Sequence, residues 1–253
     1  MCRQFAYLGP AASLHDLVYA APFGLERQSY APRRQQHGLL NADGFGFGWY
    51  VDGQAEPVRY RRAVPLWGEE NVRGLARVTR SRAILGAVRS ATPGHPVQEG
   101  AAAPFTAGRW LFSHNGAIPG WPDSAAALAA DLPFAALARQ QTLTDSTLIW
   151  ALLLERLEAG EDAGKAVAAV TRRVHEATGA RTNLLLLDGE QIVATTAGDT
   201  LCHRQGGVPT PDGDVAPAVI VASEPFDDAE GWMDVPDNSL LVATAENLTL
   251  ESL

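Results

Sequence analysis

Strand patterns occupy both ends of this chain, and its best helical patterns lie between them. Alternating or β-rich runs mark strands at residues 3–8, 45–51, 57–64, 82–90 and 109–113, and again at 182–188, 191–196, 219–223 and 239–245. Asp52-Gly53 joins the second and third runs with a hairpin signal. Helical spacing marks residues 15–20, 69–79, 125–138, 144–157 and 163–178. Ser13 with Asp16 opens the first of these. Thr144 caps the fourth with Asp145 in its first turn, and Gly160 and Gly179 end the last two. This order suits antiparallel sheets with helices packed outside them. Periodicity leaves open whether there is one sheet or two. A length of 253 residues fits one large domain or two small ones, and no repeat or low-complexity linker divides it.

The chain opens Met1-Cys2-Arg3. Methionine aminopeptidases remove Met1 when the second residue is small. Removal would give Cys2 a thiol and a free α-amine on one residue, a nucleophile carrying its own base. An α-amine titrates near roughly 7.7–8.0, so it can take a proton near neutral pH where a lysine amine cannot.

The formal charge of −9, with no basic stripe to meet phosphates, argues against nucleic acid as a partner. No charged n-region precedes an apolar h-region, so no signal peptide is expected. No apolar run reaches membrane-spanning length. The cytoplasm is the expected compartment, with Cys2 and Cys202 both reduced there. Two cysteines without clustered histidines do not make a zinc site, and His37, His95 and His175 lack ligand spacing. The expectation is therefore no metal and no cofactor.

Four further motifs stand out. They are Asn41-Ala42-Asp43-Gly44-Phe45-Gly46, Arg89-Ser90-Ala91-Thr92, His114-Asn115-Gly116 and Thr144-Asp145-Ser146. Singly, each has an ordinary reading. Asp-Gly and Asn-Gly are usually turns. An Arg at a strand end is usually a solvated charge. An Asp in the first turn of a helix usually complements the dipole.

In this order behind Cys2-Arg3, and continuing to Ala222-Ser223-Glu224-Pro225 and Trp232, the motifs resemble the class-II glutamine amidotransferase family with its N-terminal cysteine. The resemblance implies an α+β fold. That fold is the four-layer αββα sandwich of two mainly antiparallel sheets found in N-terminal nucleophile hydrolases, with residues 2–253 as one domain once Met1 is removed. Gln28-Ser29-Tyr30-Ala31-Pro32-Arg33, the Asp43 motif and Gly48-Trp49-Tyr50 resemble one branch, the γ-glutamyl amidohydrolases of ergothioneine biosynthesis. Those enzymes release glutamate from γ-glutamyl-hercynylcysteine sulfoxide.

The resemblance and the chemistry together assign roles. Cys2 attacks the γ-carbonyl, and its amine shuttles the proton. Asn115 and the Gly116 backbone N–H form the oxyanion hole. Arg89 takes the substrate α-carboxylate through its planar fork, with Thr92 beside it. Asp145 takes the α-ammonium, and His114 belongs to the same substrate pocket. Relatives often carry an acidic residue where this chain has Thr147 and an aromatic one where it has Ser90. Trp49, Trp67 and Tyr30 are candidates for a cage around a trimethylammonium, or ordinary core and rim aromatics. Three other activities stay open: a glutaminase subunit feeding ammonia to a separate synthase, a γ-glutamyl peptidase of glutathione-like thiols, and an inactive γ-glutamyl-binding fold. The expected partner is a small γ-glutamyl molecule, the glutaminase reading also needs a partner protein, and the oligomeric state is not legible.

Overall fold

Strands at both ends of the chain combine into two antiparallel sheets in a computed structural model that describes residues 2–210 and 212–253. Met1, whose removal the sequence predicts, and Pro211 lie outside the described residues. The chain opens with β1 (Arg3–Ser13) and α1 (Leu25–Tyr30). The hairpin β2 (Phe45–Trp49) and β3 (Val58–Arg62) follows, then α2 (Glu70–Val78) and β4 (Arg80–Val88). β5 (Phe105–Ala107) and β6 (Trp110–Ala117) lead into α3 (Ala126–Ala130), α4 (Phe134–Ala138), α5 (Asp145–Glu158) and α6 (Ala163–Thr178). The remainder is β7 (Arg181–Leu187), β8 (Ile192–Thr196), β9 (Cys202–Pro209), β10 (Val215–Ala222), β11 (Met233–Asp234), β12 (Ser239–Ala243) and β13 (Leu248–Ser252).

One sheet has the order β11-β9-β10-β1-β4-β2-β3, and the other β13-β12-β8-β7-β6-β5. The period of two along a strand explains the layering. On β1, Ala6 and Leu8 point between the sheets, where they meet Leu85, Leu111, Leu185 and Val219. Phe5 and Tyr7 point the other way, into a cluster with Leu25, Val72 and Ala76 from α1 and α2. α5 and α6 cover the second sheet through Leu148, Ile149, Leu153, Val167 and Val170, which pack on Phe112, Leu184 and Leu186. Helices thus lie on both outer faces, giving the expected αββα sandwich. Truncating a fully buried leucine of the inner layer, such as Leu85→Ala, should cost about 2–5 kcal/mol.

Three local expectations change. The helix expected over 125–138 is broken into α3 and α4, because Pro133 at the start of α4 has no N–H to continue the ladder. β9 has no clear strand pattern because Gly206, Gly207 and Pro209 interrupt it, yet it pairs with β10 in continuous register. β6 runs past its expected end through His114, Asn115 and Gly116. The Asn-Gly pair is therefore strand and not turn, with Asn115 opposite Asn183 and Gly116 opposite Thr182 on β7.

Candidate active site

Cys2 sits half-buried at the start of β1, the strand between β10 and β4. Its backbone nitrogen donates to Asn115 Oδ1 at 2.9 Å, across to the other sheet. The next residue locks the terminus down. Arg3 is fully buried, and its Nε donates to the Cys2 carbonyl at 2.8 Å. Arg3 Nη1 reaches Thr200 Oγ1 at 3.4 Å and lies 3.8 Å from Glu224 Oε2. Burial pulls the Arg3 pKa down, and the nearby Glu224 and Asp199 charges oppose that shift. Glu224 is also fully buried and accepts the backbone N–H groups of Arg33 and Arg34 at 2.8–3.1 Å. Ser223 exchanges hydrogen bonds with the Gln4 backbone through its N–H and its hydroxyl. Ala222-Ser223-Glu224-Pro225 thus clamps the start of β1.

The His114-Asn115-Gly116 motif has a packing logic. His114 Nε2 lies 3.2 Å from the Arg181 carbonyl, which can only accept, so Nε2 carries the proton. Nδ1 is then free to accept the Ser146 hydroxyl at 2.9 Å. Full burial pushes the His114 pKa down, against the opposing pull of Asp145, so the ring is neutral at physiological pH. A Cβ at Gly116 would collide with both the Arg181 carbonyl oxygen and His114 Nε2, so only glycine fits beside that hydrogen bond. Asn115 is fully buried, and its Nδ2 has no hydrogen-bond partner among the described residues. Leaving such a donor unpaired costs about 1–3 kcal/mol, so it marks a group reserved for something else.

Arg89 directly follows β4 and is almost fully buried. Its backbone N–H bonds Gly44, and its carbonyl accepts from Asp43 N–H at 2.9 Å. Asp43 Oδ2 accepts the Ala91 N–H at 2.7 Å, so the Asn41-to-Gly46 motif splints the chain on both sides of Arg89. Asn41 Nδ2 ties that motif to Gln28 and Gln35. Arg89 Nη1 donates to the Pro96 carbonyl at 3.0 Å.

Asp145 begins α5. Thr144 caps this helix in a reciprocal box with Thr147, whose hydroxyl accepts the Thr144 N–H at 2.8 Å. Thr147, where relatives often carry an acid, therefore has a structural partner here. Asp145 Oδ1 accepts the Ser146 N–H at 2.7 Å, and Oδ2 accepts the Ile118 N–H at 3.2 Å. His95 Nε2 lies 3.8 Å from Asp145 Oδ1. Sequence reasoning passed over His95, because it sits in an irregular segment and lacks ligand spacing.

Cys2, Arg89, His114 and Ser146 line one small cavity together with Phe45, Ala87, Val88, Ala101, Ala103 and Phe105. Its volume is ≈ 20 Å³, roughly room for a single water. Asn115 touches it through Cys2, and Asp145 through Ser146. Thr92 does not line the cavity; its carbonyl accepts the His95 N–H in a turn. Tyr30 and Trp67 form an edge-to-face pair at 5.8 Å, while Trp49 packs against the core, so the three do not close into one cage. Both cysteines are free thiols. Among the described residues no helix is long and apolar enough to cross a membrane.

A profile of the class-II glutamine amidotransferases matches residues 19–209. The gamma-glutamyl-hercynylcysteine sulfoxide hydrolase of Mycolicibacterium smegmatis is 43% identical over 243 residues, covering 95% of each chain. That of Mycobacterium tuberculosis H37Rv is 41% identical over 254 residues, covering 100% of this chain and 97% of the relative. A glutamine aminotransferase class-II domain protein from Silicibacter pomeroyi superposes with a TM-score of 0.68 over 99% of each chain at 22% identity. Glutamine phosphoribosylpyrophosphate amidotransferase from B. subtilis gives 0.67 at 15% identity, over 99% of this chain and 49% of that one. These two likenesses establish the fold.

Proposed function

Because the chain belongs to the class-II glutamine amidotransferases, we propose that it is an amidohydrolase that cleaves γ-glutamyl-hercynylcysteine sulfoxide and releases glutamate. The observation that carries this reading is the Asn115 amide. One end holds the Cys2 nitrogen at 2.9 Å, and the other end, Nδ2, is a buried donor with no partner among the described residues. Residues 2–253 act as one catalytic unit, and a compartment that keeps both thiols reduced, such as the cytoplasm, suits it.

The chemistry follows from the residues. Once Met1 is removed, the Cys2 α-amine takes the Sγ proton. The thiolate attacks the γ-carbonyl carbon, and the C–S bond forms. Negative charge develops on the carbonyl oxygen, where Asn115 Nδ2 and the Gly116 N–H stabilise it. Collapse breaks the C–N bond, and the ammonium returns the proton to the leaving nitrogen. Water then hydrolyses the thioester to glutamate and restores the thiol. Arg89 and Asp145 hold the α-carboxylate and α-ammonium, so the two charges on the α-carbon meet opposite charges on the protein. His114, kept neutral by burial, orients Ser146 beside Asp145.

The test is turnover on glutamine, glutathione and γ-glutamyl-hercynylcysteine sulfoxide. The expected result is glutamate release with kcat/KM highest for the sulfoxide. Preferred ammonia release from glutamine would replace this reading with a glutaminase subunit.

A further inference from the structure

Arg89, which directly follows β4, and Asp145, which begins α5, are both tied to one dipeptide. Arg89 Nη1 donates to the Pro96 carbonyl at 3.0 Å. The Asp145 backbone N–H points at His95 Nε2 at 3.5 Å, and the same nitrogen lies 3.8 Å from Asp145 Oδ1. The His95 side chain is only 2% exposed and that of Asp145 7%. Trp121 packs over the imidazole with ring centroids 5.7 Å apart. The His95 N–H closes a turn on the Thr92 carbonyl at 2.9 Å, which fixes the dipeptide relative to Arg89.

We propose that His95-Pro96 is the positioning element of glutamyl recognition, holding the Arg89 guanidinium and the Asp145 carboxylate in a fixed relation to each other so that they receive an amino acid's two α-substituents. The inference rests on the γ-glutamyl reading of the site and adds residues to it. Neither His95 nor Pro96 touches the reacting atoms.

Three features support this role. The first turn of a helix has backbone N–H groups with no helical partner. In α5 Thr144 takes the Thr147 N–H and Asp145 takes the Ser146 N–H, which leaves the Asp145 N–H to His95. His95 thus fixes the backbone from which the Asp145 carboxylate projects. Second, a guanidinium has five N–H donors in a fixed fork. Binding one of them to the Pro96 carbonyl sets the plane of the fork and leaves an edge for a carboxylate. Third, the imidazole is almost fully buried and packs against Trp121. Without the clasp, the two charges would have to find their separation at the moment of binding, at a cost in ordering entropy.

The experiment measures binding of L-glutamate and glutarate by calorimetry to the processed protein, its His95→Ala variant and its His95→Gln variant, with steady-state kinetics alongside. Glutarate keeps both carboxylates and lacks the ammonium. His95→Ala should weaken glutamate about tenfold, equivalent to roughly 1.4 kcal/mol. It should raise KM more than it lowers kcat, and change glutarate binding far less. His95→Gln, whose side-chain oxygen can accept the Asp145 N–H, should recover most of the loss. Unchanged or tighter glutamate binding in His95→Ala overturns the proposal. So does an equal loss for glutamate and glutarate, or a loss that Gln does not rescue. Glutamate binding needs no particular leaving group, so failure of the sulfoxide as substrate would leave this result readable.

Discussion

The Cys2 backbone nitrogen and the Asn115 side chain meet at 2.9 Å across the two sheets, although 113 residues separate them in the chain. A single amide thereby faces both halves of the proposed reaction. Its oxygen accepts from the nitrogen that becomes the base, and its nitrogen is a buried donor with no partner among the described residues, available for the proposed oxyanion. The rigidity comes from the surroundings: β6 pairs with β7 on one side, and Arg3, Ser223 and Glu224 pin the start of β1 on the other.

Asn115→Asp keeps an oxygen near the Cys2 nitrogen and replaces the buried donor by an acceptor. Loss of one oxyanion donor lowers kcat by roughly 10²–10³. The expected outcome is a kcat reduced by that factor with KM little changed, read from steady-state kinetics. A variant retaining more than about a tenth of wild-type kcat would remove Asn115 from the oxyanion hole.

An N-terminus that keeps Met1, or carries a tag before Cys2, should have no turnover. An amide nitrogen has no lone pair available to accept the thiol proton, whereas the free amine does. Intact-mass spectrometry and an activity assay on the same preparation check this. Full activity in a uniformly Met1-bearing sample would falsify the N-terminal-nucleophile mechanism.

Much of this arrangement was legible because sequence order and fold geometry agree. The first strand run, residues 3–8, carries period-two alternation that sends Phe5 and Ala6 to opposite faces in the folded protein, and the apolar run at residues 184–187 reads as a buried strand and is one, covered on both faces. Thr144 reads as a cap from sequence and is one. Other parts were hidden for physical reasons. Gly206, Gly207 and Pro209 disguise β9, because its pairing comes from β10 and not from intrinsic propensity. Asn115-Gly116 looks like a turn, and only the Arg181 carbonyl on the neighbouring strand explains the glycine. His95 carries no local signal, since its partners Asp145 and Trp121 are remote in sequence.

The two thiols should separate sharply under alkylation. Cys202 is fully buried on β9, and burial pushes its pKa up to about 12, so almost no thiolate forms near neutral pH. Cys2 is half-buried and lines the cavity. Iodoacetamide followed by peptide mapping should find label on Cys2, with inactivation in step. Cys2→Ala should abolish turnover, and Cys202→Ala should leave kcat within about twofold. Inactivation that tracks label on Cys202 would reverse the assignment.

His114 makes the fold acid-sensitive. Its pKa is lowered in the folded protein relative to the ordinary value near 6.5, chiefly by burial. The unfolded chain therefore binds the proton more readily. The stability associated with the neutral ring is present above about pH 6.5 and is lost as pH falls toward the lowered folded value. Asp199 acts in the opposite sense, because burial raises its carboxyl and its contribution fades as pH rises through that raised value. The His114 effect is isolated by comparing chemical denaturation of wild type and His114→Gln between about pH 7 and pH 5. Wild type should lose stability over this window more steeply than the variant. Parallel slopes would show that the histidine does not carry the effect.

Arg89→Lys tests carboxylate recognition directly. Arg89 is almost fully buried, and one of its nitrogens is committed to the Pro96 carbonyl, which aligns the fork. Lysine keeps the charge but offers one ammonium on a flexible stem, so the paired geometry is lost. A hydrogen bond to a charged group is worth roughly 1.5–3 kcal/mol. Losing about one such bond should lower kcat/KM by one to two orders of magnitude, at roughly 1.4 kcal/mol per decade. Against a γ-amide lacking the α-carboxylate, wild type and variant should differ far less, because neither can make the bond. Asp145→Asn should mirror this on amides lacking the α-amine. The decisive comparison is Arg89→Lys on intact and des-carboxy amides: a loss of equal size on both would show that Arg89 serves the packing of its loop and not the substrate.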